Sequence, residues 1–147
     1  MYSKVFKILI TAEIIFLLIQ FWLGMSINLF VFLPLNSAQN FAGYSGGEEV
    51  LTHIINGVLI LAFAGLILSY GFRLKSSFIS ALSVIALLFT TVAVSTGLTF
   101  ALSLRDNNLS MAMAVSFLIV FIAYFSEFYL VGKIDASADC TSKTSEQ

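Results

Sequence analysis

Four apolar runs, each long enough to cross a bilayer as a helix, decide what this chain can fold into. A spanning helix needs about 20 mostly apolar residues. The runs cover roughly residues 5–33, 50–72, 76–103 and 109–131. Pro34 closes the first, since proline ends helices. Arg73 and Lys75 separate the second from the third, and Arg105-Asp106-Asn107-Asn108 separates the third from the fourth. The chain is 59% hydrophobic with a mean hydropathy of +1.00, more apolar surface than a water-soluble domain of 147 residues can hide. A β-barrel would need short alternating segments, and these are absent.

The short breaks after the second and third runs make consecutive helices antiparallel neighbours. The expected fold is therefore an all-α integral membrane protein, an antiparallel up-down bundle of four transmembrane helices within residues 1–134. Residues 135–147 are polar and read as a disordered cytoplasmic tail. Basic residues stay on the cytoplasmic side. Lys4, Lys7, Arg73, Lys75, Lys133 and Lys143 fall on one side of the four-span arrangement, against Arg105 on the other. Both termini are thus expected in the cytoplasm of a multi-pass cell-membrane protein, with the loops 34–49 and 104–108 outside. The first run extends to Leu33, well past the apolar core of a signal peptide, so a retained helix is expected.

Several function classes find no support. The net charge of −1 offers no basic surface for nucleic acid. The lone Cys140 cannot form an internal disulfide. There is no phosphate-binding glycine loop, dinucleotide fingerprint, Cys-x-x-Cys or His-Glu-x-x-His. A serine hydrolase would need His53 as its base, and nothing near it in sequence supports that role.

Polar groups inside the apolar runs are costly and need a reason. On the first run Glu13, Gln20, Gly24 and Asn28 share a face at helical spacing. The glycines, serines and threonines of the other runs read as packing residues that let helices approach and hydrogen-bond across the interface. Glu13 must be protonated, paired or beside water. Glu127 lies near the cytoplasmic end and is expected to reach the interface beside Lys133.

His53, the only histidine, sits where the second run begins, one turn after Glu49. At the matching end of the fourth run stand Ser110, Met111 and Met113. A neutral imidazole is a good haem-iron ligand, and methionine can complete the axial pair. Alternatively, His53 is an interfacial residue hydrogen-bonded to Glu49. Both readings predict a Glu49–His53 contact, and the first also requires a pocket.

With the helices so placed, the chain resembles one half of the heme A synthase family. Gln20-Phe21-Trp22-Leu23-Gly24 is similar to the family's Gln-x-x-x-Gly in helix 1, and Asn28 follows in the polar continuation. His53-Ile54-Ile55-Asn56-Gly57 is similar to its His-Arg-x-x-Gly. Gly97-Leu98-Thr99-Phe100 resembles its Gly-x-x-Thr-Val, and Ser110-Met111-Ala112-Met113-Ala114 falls where helix 4 opens with His-Leu-x-x-Ala. The resemblance spans most of residues 8–131. It implies a four-helix bundle holding haem, with iron on His53 alone or on His53 and Met113 or Met111, and with Ser110, Glu49, Gln20 and Gly57 around it, or else a relic that keeps the bundle without the cofactor. The departures matter equally. Val50 stands where the family places its Glu, Ile54 where it places Arg, and Ser110 where it places the second histidine. The family's oxidation of a heme O methyl group is therefore not expected, and no catalytic residue is assigned.

Three expectations follow. The first is a haem-binding membrane protein in haem handling, oxidase assembly or electron transfer. The second is a structural subunit of a larger membrane complex such as a respiratory one, packed on partner subunits or on copies of itself in the lipid bilayer. The third is a small transporter or channel. It ranks last because no second helix offers an ionisable residue at the depth of Glu13.

Overall fold

The computed structural model describes residues 2–31, 45–100 and 107–144, with side chains described as far as residue 137. It contains four helices, α1 (Tyr2–Phe30), α2 (Gly47–Arg73), α3 (Ser77–Thr99) and α4 (Asn107–Thr144), and no strand among the described residues. All four are long and apolar enough to cross a membrane. Helix α4 continues to Thr144, through the segment that composition marks as a disordered tail. One physical reason is visible at its start. Asp135 accepts a hydrogen bond from Ser3 at 2.7 Å and pairs with Lys7 at 2.6 Å, which holds α4 against α1 there. Pro34, Arg105 and most of the two loops expected outside lie beyond the described residues.

Local chemistry sets the helix ends. Gly46 precedes α2 with φ 92°, a left-handed conformation that glycine adopts without strain. Glu48 and Glu49 follow in the first turn and Arg73 lies in the last, each favourable against the helix dipole. The turn into α3 is short. The amide of Leu74 donates to the Gly71 carbonyl, and Ser76 is extended. The Arg73 guanidinium lies 5.8 Å from the Tyr2 ring and 5.4 Å from the Tyr70 ring, tying α2 to the start of α1.

Each helix buries one narrow stripe at helical spacing. On α1 the stripe is Phe6, Ile10, Glu13 and Leu17; on α3 it is Ile79, Ser83, Ala86 and Thr90. On α4 it runs Ser116, Val120, Ala123, Tyr124, Glu127 and Val131. The outer faces are also apolar, with Phe30 81%, Trp22 74% and Ile8 68% exposed. A surface of that kind suits lipid and not water. The helices pack in a ring, α1 on α2, α2 on α3, α3 on α4 and α4 on α1, with the α3–α4 seam the most extensive and the α1–α4 seam the least.

Candidate functional site

Two polar assemblies lie inside this apolar frame. The first is at the α1–α2 seam. Asn56 is buried on α2, and its side-chain amide donates to the Phe16 backbone carbonyl at 3.0 Å and to the Gln20 side chain at 2.8 Å. The other end of the Gln20 amide lies 3.1 Å from Nε2 of His53. The ring packs onto Gly24, and its Nδ1 is buried without a hydrogen-bond partner in the chain. A Cβ on Gly24 would come within 3.2 Å of His53 Cε1, so only glycine leaves the ring its seat without a shift. Gly57 faces the same cluster, its Cβ position 3.4 Å from Gln20 Nε2.

The structure thus gathers Gln20, Gly24, His53 and Gly57, but it distributes the remaining expected site residues elsewhere. Glu49 is exposed, and the expected Glu49–His53 bond is replaced by the bond to Gln20. The reason is geometric: His53 turns inward onto α1 while Glu49, one turn earlier, points away. Met111 is 66% exposed on the outer face of α4. Met113 is half-buried against α3, its sulfur 3.2 Å from the Cβ position of Gly97. Ser110 is half-buried in the first turn of α4, and Asn28 is exposed. The residues present do not fit a haem iron in this arrangement. Nε2 of His53 is engaged by Gln20, and Gly24 closes on the ring edge beside Nδ1.

The second assembly is central, and the sequence reading missed half of it. Glu13 and Glu127 are both fully buried, each in the middle of its helix's core stripe. The junction of Ser3 and Lys7 with Asp135 fixes the level of α1 against α4. At about 1.5 Å per residue, Glu13 lies about 9–15 Å from that junction and Glu127 about 12 Å, so the two acids share a depth. Tyr124, one turn before Glu127 on the same stripe, is also fully buried, and the charge of either acid would be felt at its hydroxyl. Glu127 therefore does not reach the interface beside Lys133 as expected. It turns inward because its position, three after Tyr124, continues the buried stripe.

Hydrogen bonding at this centre is incomplete. Ser83 Oγ lies 2.6 Å from Glu127 Oε1 and 3.1 Å from the Ile79 carbonyl. A hydroxyl has one proton to give, so Ser83 can donate to only one of them. When it donates to Ile79, Glu127 must carry the proton between them. Both oxygens of Glu13, Oε2 of Glu127 and the hydroxyls of Tyr124 and Thr90 are buried without a hydrogen-bond partner. No cation pairs with either acid among the described residues. Elsewhere the hydroxyls of Thr91, Thr96 and Ser126 return to carbonyls of their own helix, not across interfaces as expected, which satisfies them locally.

A signal for Glu127 was available: with Tyr124 and Val131 it forms an i, i+3, i+7 stripe. Comparison of the chain with family models, with curated proteins and with solved structures finds no match.

Proposed function

We propose that this chain is a multi-pass membrane protein, an antiparallel up-down bundle with both termini in the cytoplasm, and that it takes up and passes protons through the Glu13–Tyr124–Glu127 centre. The topology is supported by pairs such as Ser3 with Asp135 and Phe21 stacked on Phe117, which match early residues of α1 with late residues of α4 and the reverse. The orientation is supported by the basic residues gathered at the Lys7–Arg73 end.

The observation that carries the function is the burial of two carboxyl groups at one depth with no counter-charge beside them among the described residues. An ionised carboxylate there is cut off from bulk solvent and has no cation beside it among the described residues, so a proton or small cation would accompany it. Tyr124, buried one turn before Glu127 and beside Glu13, supplies a hydroxyl that can accept and donate. The presence of Glu127 at the level of Glu13 removes the argument that ranked transport last.

Haem binding ranks below this reading. It is favoured by the meeting of Gln20, Gly24, His53 and Gly57 at one seam, and opposed by the engagement of the His53 ring.

The test is proton flux in proteoliposomes under an imposed potassium diffusion potential, followed with an enclosed pH dye. The wild-type chain is expected to move protons, and Glu13→Gln and Glu127→Gln each to abolish the flux while keeping the helical spectrum. Absence of flux in a folded wild-type chain would sink the proposal and leave the bundle as a structural subunit.

A further inference from the structure

We infer that His53 is an interhelical clasp locked as the neutral Nδ1–H tautomer, with no ring nitrogen available to a metal. The deduction starts from an atom whose role is fixed. The Phe16 carbonyl can only accept, so the Asn56 side-chain atom 3.0 Å from it is the amide nitrogen. That same nitrogen lies 2.8 Å from the side chain of Gln20, so the Gln20 atom there is the carbonyl oxygen. The amide orientation of Gln20 follows, and its nitrogen is the end that faces His53 at 3.1 Å. An NH2 group only donates, so Nε2 of His53 accepts with its lone pair. In a neutral imidazole the proton then sits on Nδ1. Each assignment in this chain depends on the one before it, and the first is anchored on backbone.

The consequence is chemical. Iron binds an imidazole through a ring lone pair. At His53 the one lone pair is spent on Gln20, and the other nitrogen carries the proton, buried beside Gly24 with no acceptor in the chain. The ring is consumed in joining α1 to α2. Gln20 acts as the positioning residue that sets its tautomer, and Asn56 sets Gln20.

Because the chain has one histidine, selective ring-nitrogen labelling reports on a single imidazole. The full chain, labelled in this way in lipid nanodiscs, is examined by nitrogen NMR. The expected spectrum has one protonated and one bare nitrogen, the bare one coupled to both ring-carbon protons, which identifies it as Nε2. Gln20→Met removes the donor, and the Nε2 signal is expected to shift or gain a proton. Adding haemin to the wild type is expected to leave the ring signals sharp and to give no Soret shift. A proton on Nε2, a doubly protonated ring, an unchanged spectrum in Gln20→Met, or loss of the ring signals with haemin would each overturn the inference. Should Gln20→Met fail to fold, the wild-type spectrum and the haemin addition still decide.

Discussion

Adding one methyl group to Gly71 tests whether Ser83 and Glu127 are held as described. Gly71 is buried on α2, and a Cβ built there would stand 2.8 Å from Ser83 Oγ, 3.6 Å from Ser83 Cβ and 3.7 Å from Phe6 Cε2. The latter two distances are ordinary contact; the first is not. Ser83 cannot swing its hydroxyl away freely, because Oγ lies 2.6 Å from Glu127. Gly71→Ala therefore either displaces α2 or strips Glu127 Oε1 of its partner, leaving both oxygens of a buried acid unpartnered. Either outcome costs about 1–3 kcal/mol. Alanine is also a better helix former than glycine by about 1 kcal/mol, which would mask part of the loss. Gly65→Ala removes that ambiguity, since nothing lies within 4 Å of its Cβ position. Reversible unfolding of both variants in mixed micelles, followed by circular dichroism, should place Gly71→Ala below Gly65→Ala by about 1–3 kcal/mol. On a Ser83→Ala background the penalty of Gly71→Ala should vanish, because the clashing atom is gone. Equal stability of the two glycine variants, or an undiminished penalty without Ser83, would refute the reasoning.

Other substitutions separate the two polar assemblies. Glu13→Met should raise stability by about 1–3 kcal/mol in the same unfolding assay while eliminating proton flux, because both of its carboxyl oxygens are unpartnered. Asp135→Ala should cost no more than about 1 kcal/mol, an effect that shrinks as salt is added, since the Lys7 and Asp135 side chains are 29% and 37% exposed. Gly46→Ala should destabilise by about 1–2 kcal/mol through its left-handed backbone alone, with further crowding of the Val31 side chain; an unchanged unfolding midpoint would contradict the conformation assigned to Gly46.

Much of the fold was legible because bilayer-length apolar runs leave few alternatives. The second and third helices begin and end within a few residues of where hydropathy puts them. The fourth ran further than composition suggested, since composition cannot register a contact such as Ser3 with Asp135. Side-chain direction was harder to read. Distance from the helix end puts Glu127 near the interface, whereas its phase relative to Tyr124 and Val131 turns it into the core. His53 was judged by proximity along the chain to Glu49, while its partner came from another helix. Both errors share a cause: distance along a sequence gives depth well and azimuth poorly. Met113 illustrates the remainder, for only packing could reveal that its sulfur lies over Gly97.

The α1–α4 seam has a consequence for how the molecule is made. Helix α1 is synthesised first and α4 last, yet Glu13 of the first is covered by Tyr124 of the last. Throughout translation of the intervening hundred-odd residues, α1 must reside in the membrane with an acid in its buried stripe and no cover for it. The late helix thus completes a burial that the early helix cannot achieve with its own residues. In a nascent chain arrested before Tyr124, an apolar carbodiimide should label Glu13, and release of the arrest should protect it.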